Sequence, residues 1–383
     1  MKPEKAYTIG KGKLLFKAEG QTNFADLGNS PDFKFTVKSE KVDHPSSRSG
    51  FKTIDDSALI EQTAEGSFTL DDLMDENMKM FLMGNAIHSD VQAAGNVSAR
   101  AVTAELDKWH DLEKLKISNV VVKAVAEAWD NPRKTAITIS FEEGSAGAND
   151  KIKDSGDGFV TAGLEAGQTL VVTGSTLNNG TYVALAVSAG EIEVANGSLA
   201  TEAAGESVTV AKRYNLGDRV IAGSLSAVCT TAGVPDSSEP TWTGKAVGDT
   251  VEDNDAEWTI AKLTYVLNSD YILDTEVGLL MPMAEGDIAA SQALAIDFDH
   301  AAITTTRIEA ATAQTIKGHL YFVGNPPKGK IRDVKGYVSL SPGGDFAVIG
   351  DSWQNIVFNM QFEQNAAYEG LYRMITRGTV TTS

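Results

Sequence analysis

Cysteine is nearly absent: Cys229 is the only one in 383 residues, so no disulfide can form within the chain, which fits assembly in a reducing cytoplasm. No window approaches the ~18 uninterrupted apolar residues of a membrane helix. The first ten residues carry positive charge but no apolar run of the kind a signal peptide needs. The expectation is a soluble chain outside the secretory route, where the Asn-x-Ser/Thr sequons at Asn96, Asn179 and Asn196 carry little meaning.

Catalytic signatures are equally scarce. His44, His88, His110, His300 and His319 include no pair at metal-ligand spacing. There is no Gly-x-Ser-x-Gly and no P-loop, and Gly10-Lys-Gly12 is too short for a dinucleotide fingerprint. Cys229 lies in a Thr-rich stretch and reads as a buried small residue. The reading is of a protein that is not an enzyme and uses no cofactor and no metal. Basic surface is missing too: 33 Lys and Arg face 52 Asp and Glu, and a net charge of -19 argues against phosphate-neutralising contact with nucleic acid.

What the chain has is apolar material and strands. Hydrophobic residues make up 42%, enough for packed cores, and the length suits two or three domains. Ile356, Phe358, Met360 and Phe362 alternate with Asn355, Asn359, Gln361 and Glu363, which predicts a half-buried strand. Before it come strands over 303–309, 316–324 and 334–340, broken by Asn325-Pro-Pro-Lys-Gly329 and Ser341-Pro-Gly-Gly-Asp345. Near the other end, Phe33, Phe35 and Val37 alternate with Asp32, Lys34, Thr36 and Lys38. A polar loop is expected over Asp43, His44, Pro45, Ser46, Ser47, Arg48, Ser49, Gly50, Phe51 and on to Thr53. Thr69 with Asp72 predicts a capped helix start, Leu70 to Leu82 recur at helical spacing with a core-facing Met74 and Met78, and Gly84 predicts the stop.

Composition shifts between about residues 137 and 263, which are rich in Gly, Ala, Ser, Thr and Val. This span holds 18 acidic against 7 basic residues, a net of -11, and predicts a separate exposed module. It divides into a β-sandwich pattern over about 137–212 and a second piece over about 213–263, the latter carrying Trp242 and Trp258. Acidic runs at 150–157 and 249–255 lack calcium-loop spacing and read as solvated turns. Exposed tryptophans on small β-modules can stack on sugars, so Trp242 and Trp258 are candidate glycan contacts.

The order Gly-x-Leu-x-Phe-x-Gly strand, Pro-Pro-Lys-Gly turn and strand to Pro-Gly-Gly-Asp turn resembles the C-terminal half of the major tail tube proteins of long-tailed, siphovirus-type bacteriophages. The single helix after the first strands is similar as well. Over both flanks the resemblance covers roughly two-thirds of the chain. It implies a mainly β fold: a tail-tube-type β-barrel or sandwich with one flanking helix, formed by 1–136 and 264–383 together. Residues 137–263 then form an inserted, Ig-like all-β decoration domain. It further implies that six copies close into rings stacked as a virion tail tube assembled in the host cytoplasm. Tape measure, tail terminator and distal tail or baseplate proteins are the implied partners. DNA passes through without specific binding. The segment Asp43 to Phe51 corresponds to an arm reaching the neighbouring subunit, and Lys34, Thr36, Lys38, Asn355, Asn359, Gln361 and Glu363 are candidate polar rows of the barrel wall. The insertion offers a possible contact to host-surface glycan. Alternatives are a tube of a secretion or contractile injection machine and, from another class, a glycan-binding adhesin or spike component.

Overall fold

A computed structural model describes residues 7–380 apart from Ser47 and Ser49. The chain is mainly β and divides into two compact units, Met1–Val91 with Thr304–Ser383, and Gln92–Ile303.

Strands of the first unit are β1 (Gly12–Ala18), β2 (Ala25–Asp26), β3 (Asp32–Ser46), β4 (Thr53–Leu70) and β5 (Ile87–Gln92). After the chain returns they continue as β6 (Ile303–Ile308), β7 (Ile316–Gly324), β8 (Gly329–Pro342), β9 (Ile356–Glu363) and β10 (Tyr372–Val380). Eight of them form one antiparallel sheet in the order β2-β1-β7-β8-β9-β4-β3, with β10 also paired to β8. Two segments more than 200 residues apart in sequence therefore build one wall. β5 and β6 pair separately as a two-stranded ribbon at the point where the chain leaves and re-enters the unit. The expected strand over 303–309 thus lies outside the main sheet.

Alternation decides the faces. Leu14, Phe16, Leu320, Val338, Leu340, Phe358, Met360, Phe362 and Phe68 form one buried cluster. Register stacks Phe33, Phe68 and Phe358 across β3, β4 and β9, and the Phe68 and Phe358 rings lie 5.0 Å apart. Gly66 is required here, because a Cβ at that position would lie 2.3 Å from the Lys34 carbonyl oxygen and 2.4 Å from Met360 Cε.

The helix is shorter than the sequence pattern predicts. It spans Asp75–Phe81, follows Met74 without a side-chain cap, and turns Asn77 and Phe81 inward. The Thr69/Asp72 start is overridden because Thr69 and Leu70 continue β4, pairing with Val357 and Ile356. Met78 packs on the core as expected, whereas Met74 is 39% exposed.

The second unit contains three cores. The first, around Phe141, Ile152, Phe159 and Val210, lies between two four-stranded antiparallel sheets drawn from residues 133–213. A second surrounds Tyr214 and Trp258 on a four-stranded sheet over 219–261. The third joins Ala104, Leu112, Ile117 and Val122 to Tyr265, Leu280, Leu294 and Phe298. This third core moves the boundary. Residues 92–136 and 264–303 belong with the second unit and not with the sheet of the first, because the strand Ala293–His300 pairs between Gly95–Thr103 and Ile117–Ala124.

Candidate assembly surface

The second face of the large sheet gathers most of the polar rows expected from sequence. Asn359, Ser67 and Lys34 are paired across β9, β4 and β3, and so are Gln361, Glu65 and Thr36. Lys38 stands opposite Thr63. Glu363 is opposite Tyr337 and receives Lys317 Nζ at 2.8 Å. Asn355 precedes β9 and is exposed outside the strand.

Several charges on this face are paired. Lys38 pairs with Glu65 at 2.5 Å, Lys34 with Asp32 at 3.0 Å and Lys13 with Asp26 at 3.6 Å. Lys335 Nζ lies 4.0 Å over the Tyr321 ring. The Lys317 hydrogen bond draws the Glu363 carboxyl below its ordinary range, and the same contact raises Lys317. These pairs are substantially exposed, so each contributes little stability. Beneath it, Asp333 is 1% exposed and accepts from Gly324 N at 3.0 Å and Arg377 Nε at 2.6 Å. Burial pushes its carboxyl up, but Arg377 and that N–H outweigh burial and hold it below the usual range.

Ordered strands replace much of the expected loop at 43–53. β3 runs to Ser46 and β4 starts at Thr53, so Asp43, His44, Pro45 and Ser46 lie on a strand, with Arg48, Gly50 and Phe51 at the apex. Ser47 and Ser49 lie outside the described residues. Only β3 pairs with β4 from Thr53 to Thr63, while β9 joins from Ala64 onward. The hairpin therefore overhangs the sheet by roughly 35 Å at ~3.3 Å per residue. His44 Nδ1 and Asp55 Oδ1 meet at 2.9 Å, and Val42, Ile54, Leu59 and Ile60 are all at least half exposed. A two-stranded ribbon without a packed face is marginal in water.

The two tryptophans differ. Trp258 is fully buried, edge-on to Tyr214 at 4.8 Å, and donates to Asp253 Oδ2 at 3.0 Å. No sugar can stack on it. Trp242 packs partly against the same core and donates to Glu239 Oε1 at 2.7 Å.

Within the acidic runs Asp157, Asp249, Glu252 and Asp255 are exposed as expected, whereas Asp150, Asp154 and Asp253 are buried. Asp150 accepts from Gly144, Ser198 and Leu199 N–H at 2.6–2.8 Å, and Asp154 from Thr138 Oγ1 and the Gly156 and Gly158 N–H groups. Asp253 joins Trp129 and Trp258. The signal available in sequence was an aspartate followed by small turn residues, as in Asp154-Ser-Gly. Among the described residues no group of three or more His, Cys, Asp or Glu is placed to hold a metal ion. Cys229 is buried, and its thiol is pushed up to about 11 chiefly by that burial.

Among comparisons with known proteins, a family model described as a protein of unknown function, UCP028589, matches residues 7–146. That span includes β1 to β5 and the first strands of the second unit. No curated protein matches the chain.

Proposed function

We propose that this chain is a structural subunit of a phage tail tube, with six copies closing into a ring, rings stacking around a channel, and the second unit carried as a decoration domain. The observation that supports this most is an eight-stranded sheet open at both ends. Among the described residues, β2 and β3 have no partner on their outer sides, and β3 is 15 residues long. Long free strand edges invite pairing, and a closed ring of copies removes them.

The overhanging hairpin fits the role of an arm on the next subunit, since burial against a neighbour stabilises a ribbon that is marginal alone. The uncharged and ion-paired rows fit a channel wall, because they offer a phosphate backbone few free cations to adsorb to. Tape measure, terminator and distal tail or baseplate proteins would be partners, and the virion the location. Under this reading the two-sheet module over 133–213 is an Ig-like sandwich. A sheathed machine fits less well, as its sheath leaves no space for an added unit of 212 residues.

Negative-stain microscopy of the purified chain tests the proposal. Rings or tubes are expected. Discrete monomers or trimers that bind a glycan array overturn it in favour of an adhesin.

A further inference from the structure

The second unit holds 14 basic and 31 acidic residues, and eight of the basic ones sit in ion pairs with carboxylates. Arg213 and Arg219 are two of the six that do not. Among the described residues neither has a carboxylate within 4.0 Å, although acids outnumber bases twofold in the unit as a whole. Arg219 Nη1 donates to Ser226 Oγ at 2.7 Å, and Arg213 Nη1 reaches Asn215 Oδ1 at 3.5 Å. A guanidinium has five donors, so most of theirs remain unused by the protein.

Both arginines line one cleft of about 840 Å³ within this unit, a size that suits a small molecule. Burial lowers the Arg219 pKa, which means the charge is partly desolvated without a counter-ion. Two of the four carboxylates that line the cleft are engaged elsewhere. Asp130 accepts Lys212 Nζ and Tyr214 Oη, both at 2.6 Å, and Asp218 accepts Asn215 N at 2.7 Å.

We infer that this cleft binds a hydroxyl-rich small molecule bearing one oxyanion, a sugar acid or a sugar phosphate, with the oxyanion on Arg219 and Arg213. Arginine forks match planar or tetrahedral oxyanions through paired N–H donors. Exposed Glu127 and Glu165 also line the cleft and disfavour a ligand of high negative charge. Thr169, Asn215 and Ser291 supply hydroxyl and amide groups suited to a polyol body. The inference is independent of the tube reading, since every residue named lies in the second unit.

Isothermal titration calorimetry on the full chain tests it with glucuronate, glucose 6-phosphate, glucose and inorganic phosphate. Binding by either charged sugar is expected, with glucose silent, and the one that binds identifies carboxylate or phosphate as the oxyanion. Arg219→Gln is expected to weaken that affinity about tenfold or more. Arg213→Gln, at the other side of the 214–218 turn, serves if Arg219→Gln lowers the melting temperature. Silence from both charged sugars, glucose binding as well as they do, inorganic phosphate binding as tightly, or full affinity in both folded variants would each overturn the inference.

Discussion

The two units solve the problem of burying β-structure in opposite ways. The first spreads its residues over one wide sheet, with strands of 15, 18 and 14 residues in β3, β4 and β8, and leaves edges and a hairpin without cover. The second uses strands of two to nine residues in five small sheets around three cores. Charge divides as sharply. The first unit carries 19 basic and 21 acidic residues, a net of -2, whereas the second carries 14 and 31, a net of -17. A self-contained unit tolerates strong self-repulsion because its packing is local; under the tube proposal the first unit meets copies of itself, which near-neutrality favours. The lesson is that open edges and low charge occur together in the same unit.

The largest expected effect breaks this contrast outright. Replacing Lys41–Ile60 by an Asn-Gly turn should abolish rings and tubes while leaving the circular dichroism spectrum β-rich, whereas replacing Gln92–Ile303 by a short Gly-Ser linker should leave polymerisation intact. Microscopy and sedimentation read both, and the reverse pattern would place the assembly contacts in the second unit.

Core truncations come next. Phe358→Ala and Trp258→Ala should each cost about 3–5 kcal/mol. Two calorimetric transitions are expected, with each variant lowering one and sparing the other. A single transition that shifts with both substitutions would merge the units thermodynamically.

Acid should separate them further. Burial pushes the carboxyls of Asp150, Asp154, Asp270 and Glu202 up, yet backbone N–H groups, hydroxyls and Lys262 more than compensate, so all four sit below their ordinary range. Carboxyls depressed on folding contribute stability that is present above the unfolded value of ~4 and lost as pH falls through the folded one. With Asp333 the corresponding deeply buried group of the first unit, the second unit's transition should fall faster below about pH 4. Asp150→Ala, which strands three N–H donors, should cost about 1–3 kcal/mol at neutral pH.

The smallest effect is ionic. Raising salt should lift the second transition by about 1 kcal/mol, or ~2–4 °C for a unit of this size, and barely move the first. Equal shifts would show that net charge is not what distinguishes the units.

Much of the large sheet was readable because β9 and the base of β3 have one wet and one dry face, so period-two alternation exposes both the strands and the polar rows. The upper hairpin was read as a loop because both its faces are exposed, and no alternation marks a ribbon without a core. Tyr372–Val380 was missed for the same reason, being exposed along most of its length. Residues 97–125 were recognisable as strands, but nothing local to them says which sheet they will join; the partner strand Ala293–His300 lies about 170 residues away. At Trp258, sequence offers an indole and not its surroundings, and Asp253, which accepts its N–H, looked like part of a solvated acidic run.

The β5–β6 ribbon has a consequence of its own. Departure and return of the chain lie on adjacent paired strands, ~4.8 Å apart, so the host sheet experiences the intervening 212 residues as little more than a widened turn. Any foreign domain whose termini lie close together could be grafted at that stalk without disturbing the host's strand register. A replacement domain should therefore be accepted at the bench by a cut at each of two neighbouring positions.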